Sequence, residues 1–139
     1  MSYDNDNIFA KILRDEIPSE RVYEDDDTFV FMDIMPRAEG HVLVIPKTPA
    51  RNMLDATPEQ LAACMATVQK VSNALMKAFG ATGITLQQFN EAAAGQEVYH
   101  LHYHVLPRHE GVRLNPPGNI GDQAEIKASA DKIRAALGA

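Results

Sequence analysis

The apolar positions of this chain change period several times, and each change marks an element. Ile8, Phe9, Ile12 and Leu13 recur at helical spacing, and Pro18 disfavours helix in the residue before it, so a short first helix is expected to run out by Ile17. "RVYED" (21–25) and "TFVFMDI" (28–34) are β-branched and aromatic runs parted by an acidic turn, and "HVLVIPK" (41–47) is a third run, closed by Pro46. The longest pattern opens at Thr57, which offers an N-cap hydroxyl, with Pro58 at the first helical position and Gln60 at the reciprocal capping position. Leu61, Met65, Val68, Val71, Leu75 and Phe79 continue one apolar face, and Gly80 is placed to end it. "ITLQQFN" (84–90) and "VYHLHYHVLP" (98–107) read as two more strands joined through the loop "EAAAG". A weaker helical pattern from Asp122 to Leu137 follows the turn-rich "NPPGNIGD".

Strands, a long helix and further strands predict an α+β fold: an antiparallel sheet of about five strands, with the long helix and the short N-terminal helix packed on one face. A chain of 139 residues fits a single domain over 1–139, with 121–139 as a C-terminal helical extension. The single cysteine, Cys64, has no internal disulfide partner, and a reducing compartment is the expectation; its place in the long helix predicts buried core. The opening "MSYDNDNIF" lacks the basic and apolar regions of a signal peptide, and no apolar run approaches the roughly 20 residues of a membrane span. A soluble, cytoplasmic protein is therefore expected. The formal charge of −6 disfavours nucleic acid and acidic membranes as partners, while leaving small anionic ligands open to a site with local donors.

The chemistry concentrates between residues 95 and 109, "GQEVYHLHYHVLPRH", which hold four of the five histidines. On a strand, His100, His102 and His104 share one face, and Tyr99, Leu101, Tyr103 and Val105 share the other. The apolar face is expected to pack on the long helix, leaving the histidines on the uncovered face. Three readings fit that geometry. The histidines are incidental to a half-exposed strand; or they bind a metal, with His41, Asp33 or Glu97 completing the ligands; or one imidazole is a nucleophile whose neighbours position it.

"HLHYHV", together with "IPSERVYEDD", "GHVLVIPK", "GQ" and "NPPG" in order, resembles the histidine-triad (HIT) family, over about residues 5–120. The likeness is greatest to the Hint branch of purine nucleoside phosphoramidate hydrolases, which are homodimers. The resemblance implies that His102 attacks the α-phosphorus and is transiently nucleotidylated, and that His100, His104 and His41 complete the histidine set. It implies that Asp33 accepts the ribose hydroxyls and that Ile8, Phe9, Ile12, Ile34 and Leu43 form an apolar purine pocket. Asn90, Gln96 and the backbone around Val98 match phosphate and leaving-group contacts. No cofactor and no metal is implied. On periodicity alone Ile8, Phe9 and Ile12 would be helix core, and Asp33 an ordinary turn former.

A site for a phosphate ester on an acidic protein is expected to rely on neutral donors, since residues 90–104 hold no Lys or Arg and the nearest basic candidate along the chain is Arg108. The chain departs from the Hint pattern at Glu97, where that branch commonly has serine; a carboxylate there is expected to bear on leaving-group specificity. "HVLPRHEG" also resembles the fragile-histidine branch, which cleaves dinucleoside polyphosphates. A nucleotide sensor or scaffold dimer with little turnover would carry the same pocket.

Overall fold

The computed structural model describes residues 2–138. The elements run α1 (Ile8–Leu13), β1 (Arg21–Glu24), β2 (Thr28–Met32), β3 (Val42–Pro46), α2 (Pro58–Phe79), β4 (Gly83–Gln87), β5 (Tyr103–Arg108) and α3 (Gln123–Leu137), with one 3-10 turn at Ala92–Ala94. All strand pairs are antiparallel, in the order β1-β2-β3-β5-β4. α2 begins as its sequence predicts: Thr57 accepts from the Gln60 N–H while the Gln60 side chain accepts from the Thr57 N–H, and Gly80 ends the helix with φ 60°.

Alternation along β2 and β3 divides the core in two. Val30, Met32, Val42 and Val44 face α2 and α3, where they meet Cys64, Val68, Val71, Leu75, Ile126 and Ile133. Phe29, Phe31, Leu43 and Ile45 face the other way, onto Phe9 and Ile12 of α1. The two sheet faces therefore carry different helices. This corrects the expectation that α1 shares a face with α2: α1 lies opposite, and it covers the face that the histidines were expected to leave open. His100 is fully buried and His102 is 7 % exposed.

Three boundaries also differ from the pattern. α1 stops at Leu13, because Arg14 caps it and Asp15 takes φ 61°, so Ile17 belongs to the following turn. β5 starts only at Tyr103, because the Leu101 N–H donates to the Ala50 carbonyl instead of entering a ladder. Leu101, Tyr103 and Val105 do pack toward α2, but Tyr99 lies under the Arg51 guanidinium, 4.2 Å from its ring centre. In α2, Met65 turns to the exposed side. Among the described residues no helix is long and apolar enough to cross a membrane.

Candidate active site

Between α1, the sheet and the loops after β2 and β4 lies a cavity of about 330 Å³. Its walls are apolar, from Ile8, Phe9, Ile12, Phe31, Leu43 and Val98, and its polar groups are Asp33, Arg37, His41, Gln87, Glu97, His102 and His104. A predominantly apolar slot with a few convergent polar groups is the usual form of a small-molecule site.

The imidazoles are wired in a fixed order. The His102 Nδ1–H donates to the His100 carbonyl at 2.7 Å, which leaves Nε2 of His102 as the bare, nucleophilic nitrogen. Phe9 meets the His102 ring edge-on at 4.9 Å. His41 accepts the Arg37 N–H on Nδ1 at 3.1 Å, so its proton is on Nε2 and points to Nδ1 of His104, 3.0 Å away. His104 must then carry its own proton on Nε2, as a donor. The ring centres of His102 and His104 are 5.1 Å apart at 71°, so the imidazole with the bare Nε2 and the one with the Nε2–H are neighbours. Burial lowers the pKa of all four triad-region imidazoles: His41 and His100 to about 4, His104 to about 3, and His102 in the same direction. The His102 imidazole adds to the effect at His100 and His104, and the Arg37 guanidinium at His41 and His104. All four are neutral at pH 7, as nucleophiles and ligands must be. Burial raises Asp33, whose Oδ1 accepts the Met35 N–H at 2.8 Å.

Of the sequence-predicted site residues, His41, His102, His104, Ile8, Phe9, Ile12, Asp33, Ile34, Leu43, Glu97 and Val98 line this one cavity. His100, Asn90 and Gln96 stand behind it. Gln96 is buried with every polar atom engaged: its oxygen accepts from Asn52 and the Glu91 N–H, and its amide donates to the Arg51 and Val98 carbonyls. Asn90 is tied to Gln88 and to the Met53 N–H. Both residues shape the loop before the triad; Gln96 has no donor left, while Asn90 keeps one amide hydrogen beyond its bond to Gln88.

The sequence reading missed Arg37, Phe89 and the segment Pro117–Gly118, all of which line the cavity. It sought a cation near the triad along the chain, whereas the turn between β2 and β3 brings Arg37 in from 65 residues upstream of His102. Arg108 instead points away, donating to Thr85 and the Val112 carbonyl. The positively charged group beside the site is Arg37.

Donor atoms of Asp33, His41 and His104 lie within 4.8 Å of one another, with the Asp33 carboxylate 3.4 Å from His41 and 3.9 Å from His104. These are two neutral imidazoles and a carboxylate, a donor set that suits a zinc-like ion. The same three groups satisfy one another by hydrogen bonding and proximity without one.

Residues 14–111 match the family model of the HIT domain, and the triad sits within them. The chain belongs to the HIT family. HIT proteins are nucleotide-binding hydrolases and transferases. The chain is 41% identical over 106 residues to the adenylylsulfatase HINT3 of Arabidopsis thaliana; the match takes in 76% of this chain but only 54% of the plant protein. The crystal structure of a Hit-like protein involved in cell-cycle regulation from Bartonella henselae, solved with an unknown ligand, superposes with a TM-score of 0.93 at 57% identity, covering 98% of this chain and 99% of that one. A zinc-bound histidine triad protein from Mycobacterium smegmatis superposes with a TM-score of 0.86 at 34% identity, covering 96% and 94%.

Proposed function

We propose that this HIT protein is a nucleotide hydrolase of the Hint type, cleaving the α-phosphorus bond of purine nucleoside 5′-phosphoramidates or related nucleotidyl conjugates. The observation that carries the reading is the bare Nε2 of a neutral His102 held beside a donating Nε2–H of His104 inside an apolar slot. Nε2 of His102 attacks phosphorus, the bond from phosphorus to the leaving nitrogen breaks, and the amine departs with a proton from solvent. Water then attacks the same phosphorus, the bond from phosphorus to Nε2 breaks, and a nucleoside monophosphate leaves with His102 neutral again. His104 donates to a non-bridging oxygen throughout. The purine lies between Ile8, Phe9, Ile12, Ile34 and Leu43, and Asp33 accepts the ribose hydroxyls.

Glu97 is an exposed carboxylate on the cavity wall, and in this reading it lies toward the leaving group. It favours amines over anions, which sets this chain apart from what the name of the plant relative, an adenylylsulfatase, describes. The fragile-histidine alternative, dinucleoside polyphosphate cleavage, would use the same pocket and nucleophile and differs in the substrate it prefers.

The active unit is a homodimer. β4 is an edge strand whose outer side is unpaired among the described residues, and Leu86 on it is 42 % exposed. Light scattering after size exclusion gives twice the chain mass if this is right.

The deciding experiment compares adenosine 5′-phosphoramidate, adenylyl sulfate and diadenosine polyphosphates as substrates of the wild type and of Glu97→Ser. Amine release is expected to be fastest in the wild type, and Glu97→Ser to gain on adenylyl sulfate. Faster cleavage of the dinucleotides by the wild type overturns the Hint reading; nucleotide binding without turnover makes the protein a sensor.

A further inference from the structure

The mechanism above uses the His100 carbonyl and leaves its imidazole without a task. That ring is fully buried, and both of its nitrogens are engaged. Nε2 lies 2.9 Å from the Pro46 carbonyl, which only accepts, so the proton is on Nε2 and Nδ1 is a bare acceptor. The hydroxyl of Tyr3 fills that acceptor at 2.6 Å, with its ring edge-on to the imidazole at 5.6 Å and 66°.

Tyr3 is held in place from both sides. The Ser2 carbonyl accepts from Arg51 at 3.2 Å, and Arg51 is itself paired through two nitrogens with Glu91 at the start of the loop before the triad. On the other side, Asn7 donates to the Asp4 carbonyl and caps α1, whose Phe9 touches His102. One N-terminal strap therefore contacts two histidines of the triad, at Tyr3 and at Phe9.

We propose that Tyr3 is a positioning residue for the reaction at His102: by holding the tilt of His100, whose tautomer the Pro46 carbonyl sets, it fixes the carbonyl that holds the His102 Nδ1–H and aims Nε2 into the cavity. This inference rests on His102 being the nucleophile. Without the Tyr3 hydroxyl, the buried Nδ1 of His100 has no partner. The ring, held by the Pro46 carbonyl alone, then rocks about that bond, and the peptide carrying its carbonyl follows. The substrate pocket is untouched, because neither Tyr3 nor His100 lines it.

The test is Tyr3→Phe, which keeps the ring and removes only the hydroxyl. Turnover of adenosine 5′-phosphoramidate is expected to fall about 10-fold in kcat with KM unchanged, the loss typical of a misaimed reacting group. The nitrogen NMR signal of His100 Nδ1 should move toward that of an unbonded imidazole nitrogen. In a His100→Gln background the same substitution should cost nothing further, since its route of action is gone. Equal kcat for wild type and Tyr3→Phe, an unmoved His100 signal, or an equal loss in both backgrounds overturns the proposal. Absence of any hydrolysis by the wild type defeats the proposed function, and the catalytic role of Tyr3 with it. Hydrolysis by wild type and Tyr3→Phe alike defeats only this inference.

Discussion

His41 reaches His104 across the β3–β5 pair through a 3.0 Å bond between ring nitrogens, and the backbone N–H of Arg37 behind His41 decides which way the proton points. The donor that His104 presents to the cavity is thus set by a turn between β2 and β3. Replacing His41 by Ala frees the His104 tautomer, and kcat should fall about 10- to 100-fold with a small change in KM. Steady-state kinetics check this, and an unchanged kcat would show that His104 holds its proton without help.

His102→Ala removes the bond-forming atom. Turnover is expected to drop by at least about 10³-fold while nucleotide binding persists, because the apolar slot remains. Mass spectrometry of quenched wild type should show the added nucleotidyl group, and the variant should not. Chelation should leave the wild-type rate intact; loss on chelation with recovery on adding zinc would hand the chemistry to the Asp33, His41 and His104 donors.

Asp33 faces the sugar in this reading. Substrates lacking the 2′-hydroxyl should lose about 10-fold in kcat/KM with the wild type, roughly the value of a hydrogen bond to a charged group. Asp33→Asn should erase most of that preference. A wild type indifferent to the hydroxyl would remove Asp33 from the ribose.

Stability should depend on pH through the buried imidazoles. Folded His100 titrates at about 4, against 6.5 when exposed, so between those values the unfolded chain holds a proton that the folded one refuses. Stability is then flat above pH 6.5 and falls as pH drops toward 4, by about 1.4 kcal/mol per pH unit for this one group. Urea midpoints at pH 7 and pH 5 measure the fall, and His100→Gln should remove the share of this one group, leaving those of His41, His102 and His104.

Gly40, just before His41, has φ +86°, and a Cβ there would meet the Phe79 ring at 2.5 Å. Gly40→Ala combines left-handed strain with overpacking and should cost about 2–4 kcal/mol in chemical denaturation. A loss under about 1 kcal/mol would mean that the Phe79 ring swings aside freely.

The sequence patterns located every strand and all three helices because each is locally consistent: the Thr57 capping box and the alternation along β2 need no tertiary knowledge. What they could not disclose is which face a helix takes. Phe9 and Ile12 are as apolar as Val68 and Val71, and only the register of Phe29 and Phe31 against them shows that α1 belongs opposite α2. The histidine motif made the cavity legible from "HLHYH" and "GHVLVIPK". Arg37 and Tyr3 were illegible, since each reaches the site from an irregular segment distant in sequence and has no periodic neighbour to mark it. Gln96 was placed at the right loop, but no pattern shows that its side chain is spent on that loop's own carbonyls and amides.

His104 is opposite Leu43 on one side and Gln87 on the other, so it sits in the middle of three paired strands. His102, one residue before β5 begins, has no such ladder. Donor and nucleophile therefore belong to regions of different protection: the amide hydrogen at His104 should exchange only when β4 or β3 detaches, while that of His102 should exchange without any strand detaching, beside a Leu101 N–H held by the Ala50 carbonyl. The half of the site that steadies the phosphate is thereby held by the sheet, and the half that must form and break a bond by side chains packed and bonded around it.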